Sequence, residues 1–477
     1  MSFPLPRALP RPWRLRPVVL AASALVLTGC ATFSNDGGLD TVSAITKERT
    51  GQSVRQATTD ADKSDIDTTV AQLLSKPLTA DSAVQIALMN NRGLQASLAD
   101  LGIAEADLVR AGRMGNPSFS FARMRGGDDV EIERSIMFDL IGLLTIPIRS
   151  NIEQGRFEQA KLQAAMEAVR VAADTRRAYF NAIAASQTAQ YMEQVAASAE
   201  AGAELARRMA KVGNWSKLDQ AREQAFYADA MAQVARSRHN ATAAREQLNR
   251  MLGLWGDKKA FTLPERLPDL PKSAKEVTDI ESQAMQQRLD VQMAQRNAQA
   301  TASALGLSRA TGFINVLHAG YANMSETGKP RANGYEVELE LPIFDWGRSR
   351  TAKAEAIYMR SVHRTADVAI RARSEVRGAY SAYRTAYDVA RHYRDEIVPL
   401  RKKISDEMLL RYNGMLIGVF ELLADSRAQI NSVNTAIEAQ RDYWLAETDL
   451  QAAINGSGGA VTQMRGSAAT AEAGAGH

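Results

Sequence analysis

Apolar and acidic positions alternate strictly in one stretch of the chain, residues 335–341. A period of two predicts an extended strand with one apolar face and one wet face. Three adjacent carboxylates do not fit a protein core, so the acidic face must meet water. The apolar positions are Tyr335, Val337, Leu339 and Leu341, and the acidic positions are Glu336, Glu338 and Glu340. Two structures fit: a half-buried strand of an ordinary sheet, and a barrel strand between lipid and a water-filled lumen.

This strand belongs to the second of two predicted β-hairpins. The first hairpin covers about residues 117–147, with an alternating strand, a Gly-Gly-Asp-Asp turn signal and a return strand that ends at Pro147. That return strand alternates less cleanly and carries Asp139 within an apolar run. The second hairpin covers about residues 312–342.

A long helical segment follows each hairpin. Residues 150–211 contain no proline and few strand formers, which predicts a helix of roughly 90 Å. Gly213 breaks this helix, and a capping box from Ser216 to Asp219 starts another helix that ends near Leu252.

The same order recurs about 200 residues later, so the chain is predicted to contain two copies of one unit. Each copy consists of a helix, a hairpin, a long helix, a tight turn and a second helix. In the second copy the long helix covers residues 346–411, Gly414 breaks it, and Pro399 is expected to kink it. The resulting segments are a leader (1–29), an extended or partly disordered arm (30–77), the first repeat (78–254), a linker (255–275), the second repeat (276–455) and a disordered tail (456–477).

The amino terminus has the pattern of a lipoprotein leader. A basic region precedes a short apolar core, which ends in Leu-Thr-Gly-Cys at Cys30. This motif resembles the bacterial lipobox, in which the leader is removed and the cysteine is acylated. Ala31 follows instead of Asp, which in the usual sorting pattern implies the outer membrane. The alternative is a simple secretory leader with an incidental cysteine.

Charge and candidate chemistry exclude several classes of protein. The chain carries 58 Lys and Arg against 54 Asp and Glu, and the four arginines of the leader account for the excess. A neutral mature chain argues against a nucleic-acid partner. The five histidines and the single cysteine have no metal-ligand spacing, so no metal or cofactor is expected. The sequence contains no phosphate-binding loop and no catalytic motif that we recognise, so an enzyme is not expected.

Four strands per chain cannot close a barrel, and an open sheet edge in lipid leaves backbone groups unpaired. If the strands lie in a membrane, several chains must share one barrel. Three chains would supply twelve strands, an even number within the known range. The long helices would then continue the pore as a helical tube.

The duplicated order and several local sequences resemble the TolC-type outer-membrane efflux factors. The local sequences are the lipobox, NPSFSF at 116–121, ELPIFDWGRSR at 340–350 and YNGM at 412–415. The resemblance implies a mainly α fold with a small β part. It also implies a homotrimer with a twelve-stranded outer-membrane β-barrel and a periplasmic α-helical barrel. A periplasmic adaptor would couple this channel to an inner-membrane pump. The short loop of the first hairpin and Asp139 depart from the family pattern.

Candidate site residues follow from the pattern and the resemblance. Glu336, Glu338 and Glu340 are predicted to line the lumen and favour cations, or merely to solvate its wall. The turns between the long helices correspond to the adaptor-contact tips of the family, although their glycines also simply permit a turn. These tip residues are Gly213, Asn214, Gly414 and Met415. Asp219 and Glu421 are candidates for the periplasmic gate, with a helix cap as the alternative for Asp219. Tyr179 and Tyr380 are interpreted as packing residues.

The function that the sequence supports best is the passive exit duct of a tripartite efflux system, in the outer membrane and extending into the periplasm. The alternatives are a non-channel lipoprotein that acts as a periplasmic spacer or tether, and the exit duct of a protein secretion system. A spacer has no need for two alternating hairpins. The exported substrate is not encoded in any feature we recognise, and drugs, metal cations and peptides all remain open.

Overall fold

The computed structural model describes residues 32–256, 260–311, 316–340 and 343–456. Cys30, the predicted leader and nearly all of the predicted tail lie outside these residues, as do Leu341 and the start of the second hairpin. The chain divides into two units. The strand unit comprises the described parts of Met1–Gly37, Gly102–Glu158 and Asn297–Arg360, and the helix unit those of Gly38–Leu101, Gln159–Arg296 and Ser361–His477.

The helices follow the duplicated order that the sequence predicts. The first half contains α1 (Leu39–Thr50), α2 (Asp60–Leu74), α3 (Ala80–Asn90), α4 (Arg92–Ala111), α5 (Leu140–Lys211) and α6 (Lys217–Leu252). The second half contains α7 (Ile280–Gln287), α8 (Leu289–Ala310), α9 (Arg348–His392), α10 (Val398–Asn413) and α11 (Val419–Asn455). A π-helical turn, Tyr393–Ile397, joins α9 to α10. It lies just before Pro399, which has no N–H to continue the regular hydrogen-bond ladder.

One antiparallel sheet of four strands lies in the strand unit. Its strands are β1 (Ser118–Gly126), β2 (Asp129–Asp139), β3 (Leu317–Glu326) and β4 (Ala332–Leu339), in the order β1-β2-β3-β4. β1 pairs with β2, and β3 pairs with β4, as in two hairpins. β2 also pairs with β3 along nearly its whole length, so the hairpins of the two repeats form one continuous surface.

The prediction that the first hairpin extends to Pro147 is wrong. β2 ends at Asp139 and α5 begins at Leu140. The reason is a competing helix start: the Asp139 carboxylate accepts a hydrogen bond from the Gly142 N–H at 2.7 Å. A short acidic side chain in this place satisfies a free N–H of the first helical turn. Asp139 is therefore the last residue of β2 and caps the first turn of α5. This role explains why an acidic residue interrupts the apolar run.

The prediction of an extended or partly disordered arm is also wrong for the described residues. The arm contains α1 and α2, and a Thr59–Asp62 capping box starts α2. Val42, Ile66 and Val70 of these helices are buried in the main hydrophobic core of the helix unit. The local sequence is polar because each helix buries only a narrow stripe.

Aromatic side chains hold the helices of the helix unit together. Tyr179 is buried, and its hydroxyl donates a hydrogen bond to the Leu78 carbonyl at 2.9 Å. Burial raises the pKa of Tyr179 to about 12, with a smaller contribution from Asp81. Tyr380 stacks on Tyr383 with ring centroids 6.5 Å apart. Tyr383 lies on the same helix, but Tyr380 also packs against a hydrophobic cluster that includes Ile280 and Tyr443 of other helices. Both tyrosines therefore pack between helices, as the sequence predicted.

The duplication extends to single hydrogen bonds. Asn91, between α3 and α4, and Arg288, between α7 and α8, have nearly identical backbone angles, φ −66° and ψ 118° against φ −61° and ψ 124°. Four residues on, the side-chain amides of Gln95 and Gln292 each donate to a backbone carbonyl at 3.0 Å, those of Met89 and Gln286. These two junctions are equivalent points of the two repeats.

Candidate functional site

The pairing register of the sheet assigns its side chains to two faces, because residues directly opposite each other share a face. Glu336 lies opposite Gly320, and Glu338 lies opposite His318. Through β2 the same face continues to Met137 and Asp139. The acidic residues of the four strands all lie on this face, which we call the acidic face. They are Asp129, Glu131, Glu133, Asp139, Glu326, Glu336 and Glu338.

The acidic face therefore contains two of the predicted carboxylates, Glu336 and Glu338, and five further Asp or Glu residues of β2 and β3. Glu338 contacts His318, with the His Nδ1 and a carboxylate oxygen 3.1 Å apart. Glu340 follows β4 and continues its pairing, since its N–H donates to the Val316 carbonyl at 3.3 Å. Sequence reasoning missed Glu131 and Glu133, although both alternate with apolar positions in β2.

The opposite face is apolar through most of its length, and nothing in the described chain covers it. Tyr335 is 88% exposed. We call this face the apolar face. Its exposed large hydrophobic residues are Phe119, Phe121, Ile136, Phe138, Tyr321, Tyr335, Val337 and Leu339. Further exposed apolar side chains follow the strand ends, at Leu144, Phe344 and Trp346. An uncovered patch of this composition marks contact with lipid or protein.

Both edges of the sheet are open within the described residues. β1 pairs only with β2, and β4 pairs only with β3. An exposed strand edge is a template for pairing with another chain. The two open edges therefore provide a geometric route by which copies of the chain can join into one larger sheet.

The first helix–turn–helix tip has the glycine turn and the Ser216 cap that the sequence predicts, but the return bond from the Ser216 N–H to Asp219, which would complete a capping box, is not formed. Gly213 adopts φ +80°, a left-handed conformation that strains other residues. Asn214 follows in the turn, and its N–H donates to the Met209 carbonyl at 2.9 Å. Ser216 caps α6 by accepting from the Asp219 N–H at 3.1 Å, and the Ser216 hydroxyl donates to the Asp219 carboxylate at 2.6 Å. The Asp219 side chain is thus engaged in the helix cap.

The second tip differs from the expectation. Gly414 adopts φ −79°, so glycine is not what its conformation requires. Met415 takes the left-handed conformation instead, with φ +57°, and its side chain is 93% exposed. Leu416 beside it is also exposed, and Glu421 lies exposed in the first turn of α11.

An ion pair next to the tips was missed by sequence reasoning. Glu223 of α6 is 2% exposed, and Arg427 of α11 donates to it at 2.8 Å. The Arg427 guanidinium also lies 4.2 Å from the centroid of the Phe226 ring. The second carboxylate oxygen of Glu223 is buried and has no hydrogen-bond partner among the described residues. The sequence gives little sign of this ion pair, because Arg427 lies 204 residues from Glu223. The only local signal is that Glu223 follows Asp219 by four residues, which places both on one side of the helix.

Other kinds of site find no support in the described part of the chain. Within it, no three His, Cys, Asp or Glu side chains are grouped so that they could hold a metal ion. No helix among the described residues has the length and hydrophobicity that a bilayer-spanning helix needs.

No family model and no curated protein matches the sequence, but solved structures match the fold over most of its length. A membrane protein from Pseudomonas aeruginosa superposes with a TM-score of 0.69 at 20% identity, covering 79% of this chain and 92% of that one. The CmeC outer membrane channel of Campylobacter jejuni gives 0.67 at 16% identity, covering 85% and 89%. The open MtrE outer membrane channel of Neisseria gonorrhoeae gives 0.63 at 16%, covering 79% and 88%. The predicted fold class, mainly helical with a small four-stranded sheet in a duplicated order, is therefore confirmed, and the chain has the fold of outer-membrane channels.

Proposed function

We propose that this chain is one subunit of a trimeric outer-membrane channel that serves as the passive exit duct of a tripartite efflux system. The observation that carries the proposal is the sheet: an uncovered apolar face, an acidic face and two open edges in one four-stranded sheet. In lipid, such a sheet satisfies its edges only by closing with other copies. Three copies supply twelve strands, a number that outer-membrane barrels accept.

The fold supports the same assignment. The structures that superpose on the chain include outer membrane channels. The long helices would continue the lumen into the periplasm. Cys30, if acylated, adds a lipid anchor, since one or more acyl chains increase membrane affinity without forming a pore.

In this trimer Glu336, Glu338 and Glu340 face the lumen. Three per chain in three chains give nine carboxylates, and a ring of negative charge favours cations over anions. The other carboxylates of the acidic face strengthen this field. The sheet therefore suits the passage of cations and neutral molecules, and leaves the choice of substrate to a pump.

The two tips are proposed to contact a periplasmic adaptor, which links the channel to an inner-membrane pump. Exposed Val212, Met415 and Leu416 give these tips apolar side chains on a solvated surface, and such side chains suit a protein partner. Asp219 and Glu421 remain proposed residues of a periplasmic gate. The Glu223–Arg427 pair lies on the same two helices and joins the first repeat to the second.

Single-channel conductance of the purified full-length protein in a planar bilayer tests the proposal. Wild type is compared with Glu336→Gln/Glu338→Gln/Glu340→Gln. We expect discrete conductance with a preference for cations, and a smaller preference in the triple variant. Arg123→Gln/Arg125→Gln, on the other face of the sheet, is the matched control and should keep the wild-type selectivity.

Each other outcome discriminates between the alternatives. Conductance with unchanged selectivity in the triple variant would keep the channel and remove the lumen assignment. A monomer without conductance would favour the spacer or tether. If folded trimers do not conduct, the measurement is repeated with Arg427→Ala, which breaks the Glu223–Arg427 ion pair between α6 and α11. Conductance in this variant would show that contact between these helices keeps the periplasmic end of the channel closed.

A further inference from the structure

The basic side chains of the four strands are separated from the acidic ones. Arg123 and Arg125 of β1 and Arg134 of β2 are the only Lys or Arg residues in the strands, and the register places all three on the apolar face. No Asp or Glu of the strands lies on that face. Solubility alone would not require such a separation, since mixed charges solvate a surface equally well.

The arginines lie in the half of the apolar face nearer the hairpin turns, with Arg134 at the middle of β2. Arg134 lies opposite Phe121 and Asn323, Arg123 lies opposite Ile132, and Arg125 lies opposite Val130 next to the hairpin turn. The large exposed apolar side chains lie toward the other end, from which the helices leave. The face is therefore apolar near the helices and cationic near the hairpin turns.

The distances match the thickness of a membrane. Val130 is hydrogen-bonded to Thr327, which places the level of Arg125 ten residues beyond Leu317 on β3. At about 3.4 Å per residue and a tilt near 40°, this is a rise of about 25 Å, the height of the apolar band in outer-membrane barrels. In the proposed barrel Arg125 lies at the level of the outer head groups. Arg123 and Arg134 lie two and four residues below that level, and their flexible stems allow the guanidinium groups to reach upward.

None of the three guanidinium groups has a carboxylate partner among the described residues. Arg134 donates to the Asn323 side-chain oxygen at 3.1 Å and lies 6.0 Å from the centroid of the Phe121 ring. Arg125 donates to the Gly127 carbonyl at 3.3 Å. Asn323 in turn donates to Asn333 at 2.6 Å, which adds amide groups to the same row. Unpaired guanidinium groups at a lipid surface are suited to bidentate binding of phosphate.

We infer that Arg123, Arg125 and Arg134 form a binding site for the phosphate groups of phosphorylated glycolipids in the outer leaflet. The inference rests on the proposed trimeric barrel, in which three chains would present nine such arginines. Lipid is favoured over a soluble anion because the site continues an uncovered apolar surface that acyl chains would fill.

The test measures binding of bisphosphorylated lipid A in detergent to the purified full-length protein, by native mass spectrometry and by the rise in the unfolding temperature of the trimer. Comparison probes are dephosphorylated lipid A, phosphatidylethanolamine and inorganic phosphate. We expect tight binding of the bisphosphorylated lipid only. Each Arg→Gln change should weaken it roughly fivefold, and Arg123→Gln/Arg125→Gln/Arg134→Gln more than tenfold.

Two further variants separate charge from general damage. The triple Arg→Lys variant should keep most of the affinity. Arg236→Gln/Arg364→Gln/Arg373→Gln removes three exposed arginines of the helix unit and should bind like wild type. If the triple Gln variant fails to assemble, the single variants carry the test.

The inference is overturned if the Gln variants bind lipid A as wild type does, or if removal of the phosphates does not weaken binding. Full competition by inorganic phosphate would overturn the assignment to lipid. Wild-type trimers that conduct ions but do not prefer the phosphorylated lipid would refute this site while keeping the channel. A monomer without conductance would refute the channel and the site together.

Discussion

The two repeats solve one structural problem with different side chains. In each repeat, the junction between two short helices holds the carboxyl-terminal end of the repeat's last helix. In the first repeat, the Asn91 amide donates to the Met251 carbonyl at 2.9 Å, and the Asn90 amide donates to Leu252 and Gly253 at 2.9 and 3.0 Å. In the second, Arg288 donates to the Ala453 carbonyl at 2.9 Å.

The replacement of an amide by a guanidinium brings further residues into the second junction. Arg288 is 1% exposed and binds Asp290 through two nitrogens, at 3.0 and 2.7 Å, and Glu375 at 2.7 Å. Burial alone would lower the pKa of Arg288, but the two carboxylates more than offset this and the pKa is raised. The two junctions therefore share a backbone conformation but differ in the side chain that binds the helix end. The neutral amide of Asn91 can be buried by itself, whereas the guanidinium of Arg288 must be buried together with carboxylates that balance its charge.

The largest effect should come from Arg288→Ala. This change leaves Asp290 and Glu375, whose side chains are 14% and 36% exposed, without their cation. We therefore expect a loss of about 3 kcal/mol in the free energy of unfolding, the lower end of the range for a broken buried ion pair. Asn91→Ala, its counterpart, should cost about 1 kcal/mol, because only neutral hydrogen bonds are lost. Urea unfolding of the detergent-solubilised protein measures both.

A control removes the whole charged group at once. Arg288→Met/Asp290→Asn/Glu375→Gln leaves no uncompensated charge and should recover most of the loss. Equal losses in the free energy of unfolding for Arg288→Ala and Asn91→Ala would show that the ion pairs of Arg288 with Asp290 and Glu375 add no stability to the junction.

The next largest effect should come from the glycines that end the last helix of each repeat. Gly253 has φ +68° and Gly456 has φ +78°. A Cβ on Gly253 would lie 2.4 Å from the backbone oxygen of Asn90, and one on Gly456 would lie 2.5 Å from the Asp290 carboxylate. Left-handed strain alone costs about 1–2 kcal/mol per residue.

Gly253→Ala should therefore lower the free energy of unfolding by more than about 2 kcal/mol, because the clash with the Asn90 backbone adds to the left-handed strain. Gly456→Ala should cost less, since a side chain can move further than a backbone. Thermal unfolding of the two variants in parallel measures the difference. A larger loss of stability for Gly456→Ala would mean that Arg288 holds the Asp290 side chain so firmly that it moves less than the backbone of Asn90 does.

The sequence predicted what is decided locally. The duplicated order, the alternation of β4 and the cap at Ser216 depend on residues within one or two turns, and the structure has all of them. Tyr179 was also interpreted correctly, because a large aromatic residue in an alanine-rich helix has few places other than a packed interface.

The remaining features depend on residues that are distant in the chain. α1 and α2 were missed because Val42 and Ile66 pack into a core built from distant parts of the chain. The capping box of α2 is a local signal that the sequence analysis overlooked. The ion pair of Glu223 requires Arg427 from the other repeat. The segregation of charge between the faces of the sheet becomes visible only when the register of β2 against β3 is known. The end of β2 was missed because Asp139 fits a strand pattern and a helix cap equally well.

Substitutions at the left-handed residues of the two tips should have smaller effects on stability, and the two effects should be opposite in sign. Gly213→Ala puts a Cβ on a left-handed residue and should cost about 1–2 kcal/mol. Met415→Gly relieves the same strain and should stabilise the fold by up to about 1 kcal/mol. Urea unfolding measures both, and Gly414→Ala is the control, since φ −79° suits any residue. Destabilisation by Met415→Gly would show that the exposed methionine makes contacts that outweigh the strain.

The smallest effect concerns the start of the helix after each tip. Ser216 caps α6 through its hydroxyl, whereas α11 begins after Gly418 with no side-chain cap. Ser216→Ala should cost about 1 kcal/mol, and Gly418→Ser should gain a few tenths of a kcal/mol, because glycine is itself an acceptable cap residue. Hydrogen exchange of the first-turn amides resolves changes of this size. Slower exchange in α11 of Gly418→Ser, with no change in α6, is the expected result. If neither helix responds, the first turns are held by packing and the two tips differ in sequence without differing in stability.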